Sequence, residues 1–147
     1  MQPNFTIEKA NWRDLNQLRV IEKECFGEEA WPLISLIGVL TFPNIIRIKA
    51  IVEDLMIGFI SGDHDSTSGI GWITTVGVLE KYRGKGIGKA LLLACEEQLP
   101  SKVIQLTVRL GNDPAIEMYL HQGYRKMDTW PRYYASGDDG ILMRKDR

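Results

Sequence analysis

The sequence predicts an α/β domain with a mixed central sheet of about seven strands, flanked by about four helices and occupying residues 1–147 as one unit. Three observations support that class. Apolar, β-branched runs interleave with stretches of helical period, in the order β-α-α-β-β-β-α-β-α-β-β. Glycine, proline, asparagine and aspartate cluster between them, where turns are needed. A chain of 147 residues with 44% hydrophobic content also has enough material to bury a real core.

Taken in order, Phe5–Ala10 reads as a short first strand. Asn11 caps a helix running to about Phe26, with Leu15, Leu18, Ile21, Cys25 and Phe26 on one face. Gly27–Pro32 is a polar break that ends in Trp31-Pro32. Pro32 suits the first turn of a second helix, Leu33–Leu40, which is apolar nearly all round. Core packing is the expectation for it, and an apolar groove is the alternative. Phe42-Pro43-Asn44 turns the chain into Ile45–Val52, where Ile46, Ile48 and Ala50 alternate with Arg47 and Lys49, a strand with one wet face. Glu53-Asp54 leads into a more buried strand, Leu55–Gly62. Asp63–Gly69 reads as a solvated hairpin loop. Its single His64 between two aspartates lacks the spaced ligand set of a metal site, so no metal is expected.

The rest of the chain is organised around Gly71–Leu99. Trp72, Ile73, Thr74, Thr75, Val76 and Val78 favour a pleated strand. Ala90–Cys95 are good helix formers, running on to Pro100, where a helix must stop. Between them Arg83, Gly84, Lys85, Gly86, Ile87, Gly88 and Lys89 place three glycines and three cations in seven residues. Glycines let backbone approach a ligand, and a helix start offers unpaired N–H groups with a positive dipole end. Such a unit is an anion cradle, suited to a diphosphate. Downstream, Val103–Leu110 alternates as a strand, and Asp113-Pro114 opens a helix that closes before Gly123. Tyr124–Trp130 and Ile141–Arg144 are the last strands, joined by the glycine- and aspartate-rich loop Arg132–Gly140.

Two nucleotide-binding patterns fail here. A P-loop needs four residues between its first glycine and the Gly-Lys pair, then Ser or Thr, but Gly84 precedes Gly88-Lys89 by three residues and Ala90 follows. The dinucleotide fingerprint needs G-x-G-x-x-G, whereas the spacing is Gly84, Gly86, Gly88, and Ser101-Lys102-Val103 stands where an acidic ribose ligand is expected. Arg83, Gly86 and Gly88 instead spell Arg-x-x-Gly-x-Gly after Val76-Gly77-Val78. A second block, Asn112, Ala115, Ile116, Tyr119, Gly123 and Tyr124, follows at the expected distance, with a strand between the two. Together they resemble the acetyl-CoA-binding signatures of the general N-acetyltransferase (GNAT) superfamily, most specifically over Trp72–Tyr124.

The resemblance implies a GNAT-like fold and direct transfer of an acetyl group from acetyl-CoA to a primary amine, with CoA as product. It assigns main-chain donors and acceptors at Val76, Gly77 and Val78 to the pantetheine arm, and an N–H of Val78 or its neighbour to the thioester carbonyl. Gly84, Lys85, Gly86, Ile87, Gly88 and Lys89 would hold the diphosphate, with Arg83 at the head of the loop and Asn112 on the cofactor arm. Tyr119 would protonate the leaving thiolate. Ala30-Trp31-Pro32, Val108-Arg109 and Arg132-Tyr133-Tyr134 resemble the N-terminal acetyltransferase branch, which includes the ribosomal-protein alanine acetyltransferases. That places Trp31, Thr107, Tyr133 and Tyr134 in the acceptor groove. Thr107 stands where this branch often carries Glu or His, so the base would be a water held by Thr107, or Glu28 or Glu29. An α-amine loses its proton near pH 8 and a lysine near 10.4, so a missing strong base costs roughly 3 kcal/mol less for an N-terminal acceptor. A peptide or protein α-amine is therefore the preferred acceptor. The alternatives are a small amine (polyamine, amino acid or aminoglycoside), for which Glu28, Glu29, Asp138 and Asp139 would supply acidic groups, and a CoA-binding domain without turnover.

A net charge of −1 and a pI near 6.1 argue against nucleic acid or an anionic membrane as partner. Cys25 and Cys95 read as free, mostly buried thiols of a reducing compartment. The start MQPNFTIEK has no apolar signal region and no run approaches a membrane span, so a cytoplasmic monomer or homodimer is expected.

Overall fold

A computed structural model describes residues 4–147, apart from the Glu28 side chain, and its strands form one seven-stranded sheet. The strands are β1 (Thr6–Lys9), β2 (Ile45–Val52), β3 (Leu55–His64), β4 (Ile70–Val78), β5 (Val103–Arg109), β6 (Arg125–Trp130) and β7 (Gly140–Asp146). They lie in the order β1-β2-β3-β4-β5-β7-β6, antiparallel throughout except for β4 against β5. Helices α1 (Leu15–Phe26) and α2 (Leu33–Thr41) precede β2, α3 (Ile87–Gln98) crosses from β4 to β5, and α4 (Asp113–His121) links β5 to β6. The expected α/β class and element order are what is observed.

The helices cover both faces. On one, Ile87, Leu91 and Cys95 of α3 seat against Gly58 and Gly62 of β3, where an added Cβ would come within 2.9–3.0 Å of Leu91 and Cys95. On the other, Ile21 and Cys25 of α1 seat against Gly77 of β4. Each fully buried Leu or Ile contributes about 1.5–3 kcal/mol, so these contacts fix where the helices sit. No described helix is long and apolar enough to cross a membrane.

Several expectations are corrected. Asn11 caps a short 3-10 turn, Trp12–Asp14, rather than α1 itself, through a reciprocal box with Asp14. Asn112, not Asp113, is the cap residue of α4, and it makes no side-chain bond to the helix. The wet face of β2 is roofed. Lys49 reaches the buried Asp14 at 2.9 Å, and Arg47 donates to the carbonyls of Val39 and Phe42. Helix α2 divides its apolar residues, burying Leu36, Val39 and Leu40 while leaving Ile34 78% exposed. His64 is no loop tip. The β3–β4 ladder runs on to His64 and Gly71, and His64 Nδ1 lies 2.6 Å from Ser101 Oγ.

One irregularity positions the site. Ser61 pairs with Thr75 and Gly62 with Ile73, so Thr74 is an extra residue on β4, a bulge that bends the strand. Beside it, β4 pairs with β5 only from Ile70 to Trp72, while β5 pairs with β7 along its full length. From Ile73 onward β4 and β5 diverge, and the sheet opens between them.

Candidate active site

The open edge of β4 leads directly into the glycine loop. Leu79 donates to Ile57 O at 2.9 Å, and Val78 stands opposite Gly58. By the alternation of an antiparallel ladder, Gly77 then bonds toward Phe59 of β3, whereas Val76 and Val78 turn their N–H and C=O groups to the open edge. Of the three residues expected to supply main-chain groups, the ladder thus selects Val76 and Val78. Gly77 has a different use, since only a hydrogen admits Cys25 Sγ, 3.0 Å from where a Cβ would stand. The Val78 carbonyl is already engaged. It accepts from Arg83 Nε at 2.8 Å and from the Cys25 thiol at 3.4 Å, which leaves its N–H for a ligand. Arg83 therefore ties the end of β4 to α1 instead of leaning over the glycine loop, and burial raises the Cys25 pKa, keeping it a neutral donor.

After the short turn Glu80–Tyr82, Gly84 and Gly86 take φ of +76° and +82°, the left-handed region open to glycine, and nothing lies within 4 Å of a Cβ at either. Gly86 is the N-cap of α3, with no side chain capping the helix. The first-turn N–H groups of Ile87, Gly88 and Lys89 consequently face outward at the positive end of the dipole. Gly88 leaves Met118 Sδ 3.6 Å from a would-be Cβ, so α4 approaches α3 closely here. Lys85 is half-buried and Lys89 exposed, with no salt bridge to either among the described residues. The cradle fits a diphosphate: open space over two glycines, unpaired donors, and two cations.

Tyr119 comes from α4 on the far side of the opening. Its ring is 4% exposed and meets Tyr124 edge-on at 5.7 Å. Gly123, with φ +95°, lets the Tyr124 N–H return to Tyr119 O at 3.0 Å, closing the helix end as the sequence predicts. Tyr124 in turn donates its hydroxyl to Glu96 at 2.7 Å, so the wall behind Tyr119 is fixed. Burial, then the neighbouring Tyr134, raise the Tyr119 pKa above the ordinary phenol range, so it keeps its proton at neutral pH. Asn112 is exposed at the start of α4.

Opposite lies a second cluster. Thr107 lies near Tyr134; burial raises the Tyr134 pKa and Thr107 partly offsets that rise. Tyr134 meets Tyr133 edge-on at 5.0 Å, and Tyr133 leans on Trp130 at 5.3 Å. Arg109 covers the Tyr134 ring at 5.0 Å and reaches Glu29 at 3.5 Å and Asp138 at 3.4 Å. Glu29 accepts from the main-chain N–H groups of Ser136 at 2.8 Å and Ala135 at 3.1 Å, tying the segment after α1 to the β6–β7 loop. The Ser136 amide, with Ala135 and Arg109, holds its carboxyl below the usual range. Glu29 is thus a structural anion and a weak base, while the Glu28 side chain lies outside the described residues. Trp31 lines the cleft between α1 and α2. Arg109 and the tether at Glu29 are what sequence reasoning missed. They join residues 106 and 107 positions apart, and no local spacing announces that.

With this geometry in hand, comparison with known proteins is direct. The family model for the acetyltransferase (GNAT) family matches residues 12–124. An uncharacterised N-acetyltransferase of Methanocaldococcus jannaschii, MJ1530, is 34% identical over 96% of this chain and 91% of its own. An N-alpha-acetyltransferase of Saccharolobus solfataricus is 28% identical over 97% of this chain and 93% of its own. The crystal structure of the Escherichia coli ribosomal-protein-S18-alanine N-acetyltransferase shares the fold, with a TM-score of 0.87 at 21% identity over 97% of this chain and 94% of that one. The sheet opening, the glycine cradle and the matched span lead to one conclusion: this chain belongs to the acetyltransferase (GNAT) family.

Proposed function

We propose that the chain acetylates the α-amine of a peptide or protein, using acetyl-CoA. The observation that carries this reading is the divergence of β4 and β5 beside a glycine turn, which sets an unpaired main-chain edge in line with a helix N-terminus. Acetyl-CoA, when bound, supplies the acetyl group already activated as a thioester. The N–H groups of Ile87, Gly88 and Lys89, with the Lys85 and Lys89 ammoniums, bind its diphosphate. Val76 offers both main-chain groups to the pantetheine arm, and the Val78 N–H is the donor for the acyl oxygen. Asn112 contributes its amide at the edge of the same opening. Tyr119 holds a proton on its phenol oxygen for the sulfur that departs, and its raised pKa keeps that proton in place until then.

The acceptor enters between the segment after α1 and the β6–β7 loop, against Thr107, Tyr133 and Tyr134. Three of the four acidic groups a polyamine enzyme would need are engaged elsewhere. Glu29 and Asp138 pair with Arg109, and Asp139 accepts from the Arg132 N–H at 3.0 Å. That favours an acceptor bearing one amine on a peptide backbone. A thiol-release assay with short peptides differing at residue one, run beside spermidine and free amino acids, tests it. Turnover on peptides alone is the expected result, and turnover on spermidine alone rejects it.

A further inference from the structure

Glu22 on α1 is 2% exposed, yet neither of its carboxylate oxygens has a hydrogen-bond partner. An unpaired buried carboxylate is costly, and such breaches of packing chemistry concentrate at functional sites. Its position is informative. Glu22 shares a turn with Ile21 and Cys25, the two side chains seated on Gly77 beside Val78. It also lines a cleft of about 480 Å³ between α1 and α2, walled by Gly27, Ala30 and Trp31. That wall is the segment whose Glu29 reaches across to Ala135 and Ser136. Glu22 therefore lies within one helical turn of the side chains seated beside the end of β4, on the helix whose following segment carries the Glu29 tether.

We propose that Glu22 is the proton acceptor for the attacking amine, a deepening that rests on the acetyl-transfer reading above. The N–H bond breaks, its electron pair stays with nitrogen, which bonds to the acyl carbon, and the proton passes to a Glu22 carboxylate oxygen and then to solvent through the cleft. Among the described side chains the other candidates do not serve. Thr107 has no basic group, Glu29 is held ionised by two amides and Arg109, and Tyr119 and Tyr134 are phenols with raised pKa. Burial brings the Glu22 carboxyl up to about 7, close to where a general base works best. The titratable groups around it are Arg19 and Lys23 in the same cleft and the Cys25 thiol on the β4 side; Gly27, Ala30, Trp31, Leu33 and Leu36 bring none.

Glu22→Gln tests this with little change of shape. Turnover on an alanine-starting peptide at pH 7 should fall roughly 100-fold. The acidic limb of the kcat/KM profile, centred near pH 7, should vanish, while the Kd for acetyl-CoA stays put and Tm holds or rises. Glu22→Asp should restore part of the limb. In the whole protein, infrared difference spectra against E22Q should show one buried carboxyl titrating near pH 7. A wild-type pH profile in E22Q, a loss of activity that merely follows a loss of folded protein, or no such titration overturns the proposal and leaves acetyl transfer standing. If the carboxyl titrates but the wild-type chain acetylates no α-amine, the acceptor reading fails and takes the proposal with it.

Discussion

The two halves of the site are built by different means. The half that β4, the glycine turn and α3 make is almost entirely backbone, and Val76 to Lys89 supply it from one short stretch of chain. Its donors are ladder groups left over where β4 and β5 part, and helix N–H groups that Gly86 leaves uncapped. The half proposed for the acceptor is almost entirely side chain. Glu29, Thr107, Arg109, Tyr134 and Asp138 arrive from three separate segments and hold one another by ion pairs and ring contacts. Main-chain groups bind what is common to every acetyl-CoA molecule and tolerate change in side chains. A side-chain groove can be rebuilt for a new acceptor without disturbing the cradle.

That contrast can be broken from either side. The largest effect falls where the halves meet. Tyr119→Phe should lower kcat by about 10² while leaving the acetyl-CoA Kd unchanged, because only the donated proton is lost. Stopped-flow thiol release and calorimetric titration separate the two quantities. Next comes the backbone half. Gly86→Val must be strained back to φ +82° whenever the cradle forms, at about 1–2 kcal/mol or more, so acetyl-CoA should bind roughly tenfold weaker with the peptide KM little changed. Glu29→Ala gives the mirror image, a several-fold rise in peptide KM from a loosened loop, with acetyl-CoA affinity intact. Acidification gives the smallest effect. The Glu29 carboxyl is held below its ordinary 4.5 by the Ser136 amide first, so the tether is at full strength above that pH and is lost as pH falls through the lower folded value. Hydrogen exchange at the Ser136 amide should lose protection in that acid range while α3 amides keep theirs.

What could be read beforehand follows the same division. The strand, glycine turn and helix of Trp72–Leu99 are local patterns, and so is the helix closed by Gly123; each is written in neighbouring residues. Asp14 with Lys49 and Glu29 with Ser136 are not, because their meaning lies in contacts formed only after the chain folds. Lys49 looked solvated since alternation tells which face a side chain takes, not what later covers that face. Arg83 was sited by its motif but not by its contacts, since a flexible guanidinium takes whichever carbonyl the fold presents, here Val78. His64 was misjudged because polar composition concealed two more rungs of ladder.

A sheet that parts in its own middle leaves raw strand inside the molecule, the kind of surface that invites another chain to pair with it. Whatever lies along Val76–Val78 in the working enzyme also plugs that gap. Where the donor molecule is what lies there, as proposed above, it is a guardian as well as a reagent, worth about 2.7 kcal/mol of folding stability at a hundred times its Kd. Cells short of it would meet a stickier form of the same polypeptide.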